Sequence, residues 1–213
     1  MSSMRIGAIV PVKTFSRAKT RLNLPPEKKE KICMLMLESV LDTLAKSGLV
    51  EKIIIVSKDE SALGMGKRFG AHGIHDKEEL GVNHAVRIAD EYLTREGFDS
   101  SIVFPQDIPL IQPQDIGDLL SFAGGEKSVI VVPSRKFDGT NALFRRPTNV
   151  METHYDEDSY KIHLDTAERR NAEASLVMIR RIMLDVDDQS DLDLIRSYDL
   201  PISKSLTDAI LGP

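Results

Sequence analysis

Four short runs in this chain are apolar almost without interruption: Arg5-Ile-Gly-Ala-Ile-Val10, Lys52-Ile-Ile-Ile-Val56, Ser101-Ile-Val-Phe104 and Lys127-Ser-Val-Ile-Val-Val-Pro133. A strand with one wet face alternates polar and apolar residues, whereas a continuous run fits a strand covered on both sides. Helical segments separate the runs. Pro25-Pro26 opens a long one in which Cys33, Met36, Leu37, Val40, Leu41 and Leu44 recur at three- and four-residue steps, and Gly48 is its expected stop. Residues 59–69 read as a weaker helix, loosened by Gly64 and Gly66, and His72–His75 as a short strand. Asn83 to Glu96 follows as a helix with Ala85, Ile88, Ala89 and Tyr92 on one side, and Pro113–Ala123 as another. Strands alternating with helices in this way predict an α/β fold: a mostly parallel sheet with helices on both faces.

The order is less regular after residue 138. The sequence predicts a strand near 141–145, a helix near 159–171, a strand near 174–183 and a last helix near 189–198. This part is expected to add an antiparallel edge and to cover the site. The 213 residues suit one domain, 1–213, with 201–213 a loosely held tail from Pro201 onward. A net charge of −5 speaks against a nonspecific nucleic-acid binder, which should be basic. The chain lacks an apolar run of ~18 residues, so no membrane span is expected. Met1 to Arg5 leads into a strand rather than a secretion signal, and the single cysteine, Cys33, sits among core positions. Both point to a reducing, cytoplasmic compartment.

In open parallel sheets, ligands bind beyond the carboxyl ends of the strands. Four segments there carry polar residues out of keeping with a plain turn. The first is Pro11-Val-Lys13 with Ser16-Arg17-Ala-Lys19-Thr-Arg21-Leu22, four cations within nine residues. It reads either as a solvated basic loop or as a clamp for a polyphosphate. It is not a Walker loop, because the G-x-x-x-x-G-K-[ST] spacing is missing. The second is Pro105-Gln-Asp107-Ile-Pro-Leu110, where Asp107 either caps the following residues or ligates a hard cation. The third is Asp138-Gly139-Thr140-Asn141, between two strand runs. Asp-Gly there signals a hairpin, and a glycine beside two small polar residues also lets a phosphate come close. The fourth is Leu184-Asp185-Val-Asp187-Asp188. On an extended chain Asp185 and Asp187 share a face, and two carboxylates side by side invite a cation. Asp188 or Ser190 is expected to cap the last helix.

A fifth segment, Tyr155-Asp-Glu-Asp158-Ser159-Tyr-Lys-Ile-His163, is ambivalent. Ser159 is placed to cap a helix whose N-terminus would attract phosphate, yet Asp156, Glu157 and Asp158 would repel it. His163 reads as a packing or capping residue or as a ligand contact. His72, His75, His84 and His154 show no metal-binding spacing.

Taken in order, these segments resemble one family over nearly the whole chain. Pro11-Val-Lys13, Lys19-Thr-Arg21-Leu22, Gly81-Val-Asn83, Asp107-Ile-Pro-Leu110, Gly139-Thr-Asn141, Ser159-Tyr-Lys-Ile-His163, Asp185-Val-Asp187 and Asp191-Leu192 are similar to the pattern of the 2-phospho-L-lactate guanylyltransferases, which serve deazaflavin coenzyme biosynthesis. The resemblance implies a single-domain nucleotidyltransferase fold. It implies a reaction in which GMP passes from GTP to the phosphate of a small phosphoacid and pyrophosphate leaves. Asp107, Asp185 and Asp187 would then hold Mg2+. Lys13, Lys19 and Arg21, with Asp107, would be catalytic. Arg17, Asn83, Gly139, Thr140, Asn141, Ser159 and His163 would bind the substrates. Two departures bear on the acceptor: Asp156 and Asp158 stand where the family has glycine, and Asp138 replaces the first of a usual glycine pair. Other acceptors on the same fold, phosphoenolpyruvate or 3-phosphoglycerate, and a nucleotide-binding regulator without turnover are the alternatives. An exposed edge strand leaves room for a homodimer.

Overall fold

A computed structural model describes residues 4–156 and 158–212. Seven strands form one sheet: β1 (Ile6–Val12), β2 (Lys52–Ser57), β3 (His72–His75), β4 (Ser100–Val103), β5 (Ser128–Pro133), β6 (Thr140–Arg146) and β7 (Glu173–Leu176). Their spatial order is β3-β2-β1-β4-β6-β5-β7. All neighbours run parallel except β6, which is antiparallel to both β4 and β5. The mostly parallel sheet is as expected. The antiparallel strand is not at an edge, as the sequence suggested, but in the interior, and both edges, β3 and β7, are parallel. Six of the seven β6 residues are buried, which fits a central strand.

Successive residues explain why the strands are apolar throughout. Ala8 and Val10 of β1 face one cluster with Ile53 and Ile55, while Ile9 faces the other with Ile54 and Val56. Helices α1 (Pro26–Lys46), α2 (Glu60–Arg68) and α4 (Pro113–Leu120) share the first side with α6 (Gln189–Arg196) and α7 (Pro201–Leu211). Helices α3 (Val82–Arg95) and α5 (Ser159–Arg169) cover the second. Cys33 is fully buried in α1, and burial pushes its thiol up to about 11, so it is packing material rather than a nucleophile.

Two expectations for the C-terminal part are corrected. Residues beyond Leu176 do not continue as a strand. They cross the end of the sheet as a loop, buried through Val177, Ile179 and Ile182 and anchored by the Met183 carbonyl, which accepts from the Arg135 N–H at 2.8 Å. The stretch from Pro201 is not a loose tail. It is α7, with Leu206 fully buried and Ala209 nearly so. The Lys28 ammonium reaches from α1 to the Ile210 and Gly212 carbonyls at 2.7 and 2.9 Å, and Ser203 Oγ donates to the Ile195 carbonyl.

Candidate active site

The topology brings five strand ends to one edge of the sheet. Lys13 follows β1, Lys58 follows β2, Asp76 follows β3, and Gln106 with Asp107 follows β4. Thr140 opens β6, which runs the other way. All six line a single cleft of about 570 Å³. The chain steps outward from β1 to β2 to β3, then returns to the opposite side of β1 as β4. Such a switch point is where open α/β sheets place their ligands. A larger cavity, about 990 Å³, lies beside β7 and α4. One of its two arginines, Arg181, is already clamped bidentately on Asp115 at 2.8 and 2.6 Å, and the cavity holds none of the strand-end residues. The smaller cleft is therefore the candidate site.

Asp107 is its hinge point. No helix starts at Ile108, so the carboxylate is not a cap. It binds the Lys19 ammonium, which also reaches Asp187 Oδ1 at 3.0 Å. The Asp107 carbonyl accepts from the Val186 N–H at 3.0 Å, which pins the 184–187 segment alongside. Those residues are coil rather than strand, yet Asp187 shares Lys19 with Asp107, and Asp185 lies close enough to Asp107 to feel its charge. Lys19 adopts a left-handed backbone, φ 53°, uncommon outside glycine and often tied to function. Its side chain is only 7% exposed. Burial alone would lower its pKa, but Asp107 and Asp187 together raise it above the usual lysine value.

Asp185 is the uncompensated charge of the trio. Burial, then the nearby Asp107, pushes it up to about 7, against the bond it accepts from Asn141 Nδ2 at 3.1 Å. Lys19 serves two of the three carboxylates and leaves Asp185 without a cation, and hard oxygens in such surplus suit Mg2+. Among the described residues no three acidic, histidine or cysteine side chains are placed so as to hold a metal ion by themselves. The donors thus fit an ion that would complete its shell with phosphate oxygens, rather than one caged by protein. The linkage has a testable sign. A folded value near 7 lies above the ordinary carboxylate value of about 4, so the folded state holds the extra proton, and stability falls as pH rises between the two. Asp185→Asn is expected to stabilise the protein in chelator at pH 8 by up to about 4 kcal/mol, a gain that vanishes near pH 4. Urea denaturation at both pH values checks it.

The remaining predicted residues divide. Lys13 and Thr140 line the cleft. Arg17 is 67% exposed, with its guanidinium 3.3 Å from Glu79, and Arg21 is exposed and does not line the cleft. Asn141 is buried and bonds Asp185 and the Ile182 carbonyl. Gly139 needs no positive φ, and a Cβ there would meet only Ser134 at 3.9 Å. The fold therefore does not demand glycine at 139. The hairpin reading of Asp-Gly-Thr-Asn is correct: residues 134–139 join β5 to β6, with Ser134 Oγ bonding Asp138 at 2.6 Å. The turn still delivers Thr140 to the cleft, so hairpin and site coexist.

Asn83 does not face this cleft. Its Oδ1 accepts from the Tyr155 N–H at 2.8 Å, and it opens onto a separate cavity with Arg87 and Asp90. Gly81 before it takes φ 102° at the start of α3, a conformation glycine allows. Ser159 does not cap α5. Asp158 holds that place with φ 55°, and its carboxylate turns outward to Lys161 at 3.2 Å. That contact draws Asp158 away from the site; Glu157 lies outside the described residues. Ser159 Oγ instead bonds Thr140 Oγ1 at 3.0 Å, and Thr140 also meets His163 Nδ1 at 3.0 Å. His163 is fully buried behind Thr140 and does not line the cleft. Asp188 caps α6 as expected, in a capping box with Asp191.

Sequence reasoning missed Lys58, Asp76, Gln106 and Glu79. The first three follow strands and were open to the rule that found Lys13. Glu79 holds the basic loop in place, accepting from the Thr14 N–H and hydroxyl, both at 2.7 Å.

Fold and site together define the nucleotidyltransferase class. The structure matches a nucleotidyl transferase from Methanothermobacter thermautotrophicus with a TM-score of 0.66 at 14% identity, over 90% of this chain and 95% of that one. Residues 5–197 match the family described as "Guanylyl transferase CofC like", and the chain belongs to that family. It is 31% identical to the phosphoenolpyruvate guanylyltransferase of Rubrobacter xylanophilus over 89% of this chain and 92% of that protein. It is 32% identical to the 2-phospho-L-lactate guanylyltransferase of Methanothermobacter thermautotrophicus, over 89% and 83%. A 3-phospho-D-glycerate guanylyltransferase of Colwellia psychrerythraea is 26% identical over 95% and 97%.

Proposed function

We propose that this protein transfers GMP from GTP to the phosphate of 2-phospho-L-lactate, releasing pyrophosphate, as a step of deazaflavin coenzyme biosynthesis in the cytoplasm. One observation carries the reaction class: Asp107, in a cleft lined by Lys13 and Lys58, shares Lys19 with Asp187 and has Asp185 close enough to feel its charge. An oxygen of the acceptor phosphate attacks the α-phosphorus of GTP, and the bond from that phosphorus to the β-phosphate oxygen breaks. A phosphate monoester has a second pKa near 6, so the attacking group is a dianion at neutral pH and needs no general base. The site accords with that. The histidine behind Thr140, His163, is held neutral, because burial lowers its pKa to about 3. The protein's work is to position and neutralise two anions.

Lys13 and Lys58 face the triphosphate, with Arg17 and Arg21 at the rim of the basic loop. Asp107, Asp185 and Asp187 are the residues that would hold Mg2+, which would offset phosphate charge in the transition state. Gly139, Thr140 and Ser159 grip the acceptor. A second acceptor, phosphoenolpyruvate, is supported by the Rubrobacter relative, which is 31% identical to this chain against 32% for the Methanothermobacter 2-phospho-L-lactate enzyme. The experiment measures pyrophosphate release with Mg2+, GTP and each of 2-phospho-L-lactate, phosphoenolpyruvate and 3-phosphoglycerate, then with ATP and CTP in place of GTP. The fastest release is expected from GTP with 2-phospho-L-lactate. A faster reaction with phosphoenolpyruvate would move the acceptor, and no release from any pair would overturn the reading.

A further inference from the structure

We infer that His163 is a positioning residue: it fixes the direction of the Thr140–Ser159 hydroxyl pair so that the pair offers a hydrogen-bond donor, and not a lone pair, to an anionic oxygen in the cleft. The inference rests on the function proposed above and adds to it a residue that never touches substrate.

The argument is a proton count. The His154 backbone N–H donates to His163 Nε2 at 2.9 Å, so that nitrogen must carry a lone pair. A neutral imidazole has one N–H, which therefore sits on Nδ1 and points at Thr140 Oγ1, 3.0 Å away. The tautomer is assigned from this network. Thr140 Oγ1 thus accepts from His163. The two hydroxyls, 3.0 Å apart, hold two protons, and one of these bridges the two oxygens. The other is left over. Neither hydroxyl has another hydrogen-bond partner among the described residues, and Thr140 lines the cleft beside Asp107. The surplus donor is available to a ligand there. The opposite tautomer would reverse this. With Nδ1 accepting, Thr140 would give its proton to His163, Ser159 would give its own to Thr140, and the pair would turn lone pairs towards an anion.

Burial keeps the imidazole neutral, so the direction of the chain holds across the working pH range. The histidine is braced as well. Tyr155 meets its ring edge-on at 4.9 Å between centroids, and the Tyr155 N–H is held by Asn83. This gives a reason for a buried, uncharged histidine directly behind a ligand-facing threonine. It also raises the rival role, that His163 only pins the 154–155 backbone.

Two substitutions separate those roles. His163→Gln places a carbonyl where Nε2 was, keeping an acceptor for the His154 N–H, but has no donor at the δ position. His163→Asn places an N–H at the δ position for Thr140 and leaves the His154 N–H unpaired. The Gln variant is expected to raise the KM of the phosphoacid about ten-fold or more, the scale of one hydrogen bond to a charged group, with the KM of GTP within about two-fold. The Asn variant is expected to keep the phosphoacid KM within about three-fold of wild type and to melt at a lower temperature. The reverse pattern, an unimpaired Gln variant and an impaired Asn variant, would overturn the inference while leaving the proposed reaction standing. Absence of turnover in the wild type would instead sink that reaction. Calorimetric titration of the same variants with phosphoenolpyruvate then reads the donor without turnover, with the same loss expected for Gln alone. If either variant is too unstable to assay, Thr140→Val removes the hydroxyl with the imidazole intact. It should show the Gln-type loss, and wild-type phosphoacid binding by Thr140→Val would refute the role.

Discussion

Asp107→Asn is expected to lower turnover about 10²- to 10³-fold, the range seen when one preorganised electrostatic contact to a transition state is removed, while the protein keeps its fold. The two halves of the expectation have separate grounds. The activity half follows from position: Asp107 alone among the three aspartates lines the cleft, and it is also the one that Lys19, Asp185 and the Val186 N–H all meet. An amide has the same shape but neither the charge nor the hard oxygen pair a divalent ion prefers. The stability half follows from cancellation. Lys19 loses one carboxylate but keeps Asp187 at 3.0 Å, while Asp185 loses the neighbour that helps raise its pKa. Pyrophosphate release and a thermal melt on the same preparation test both halves. Wild-type turnover would dispose of the role given to Asp107, and a large fall in melting temperature would recast it as a structural hub.

The strands were readable because burial leaves a local mark. β1, β2 and β5 are covered on both faces, so their sequences are apolar throughout, and the expected runs fall within about two residues of the observed ones. The same mark misled beyond β7. Val177 still donates to the Val131 carbonyl at 2.9 Å, but Ile179 and Ile182 are buried in a loop outside any strand, and an apolar pattern reports burial, not hydrogen bonding. The place of β6 inside the sheet was beyond reach for a different reason: strand order is a long-range property that no window of residues encodes. The α7 helix was within reach. Pro201 stands at its first position, and Ile202, Leu206 and Ala209 follow at helical spacing. For the site, residues just past strand ends could be read, since the ligand edge of a parallel sheet is set by topology. Which of them face the cleft could not. Asn83 and His163 look like ligands in a motif, yet the fold turns one to the Tyr155 backbone and seals the other behind Thr140.

Arg145 is the residue whose role the sequence conceals most, and its loss is expected to cost the most stability. At the end of Ala-Leu-Phe-Arg-Arg it reads as a strand running out into water, but its side chain is 1% exposed in the centre of the sheet. Its guanidinium clamps Asp90 of α3 at 2.7 and 2.6 Å and meets Ser101 Oγ of β4 at 3.0 Å, tying helix to sheet. Arg145→Leu would leave Asp90 buried without its partner, a defect worth about 3–5 kcal/mol. Asp90 is raised above the usual carboxylate value even now, because burial outweighs the arginine beside it. Without the arginine it should rise further. A folded pKa above the unfolded one means the native state binds the extra proton, so the variant's stability falls as pH rises through that interval, and its deficit should be smaller at pH 5 than at pH 8. Adding Asp90→Leu should recover much of the loss, since a packed apolar pair often replaces a buried ion pair without penalty. Urea denaturation of the single and double variants at the two pH values decides the matter. Equal deficits at both, or a double variant no better than the single, would show that Arg145 contributes through packing of its stem rather than through its charge.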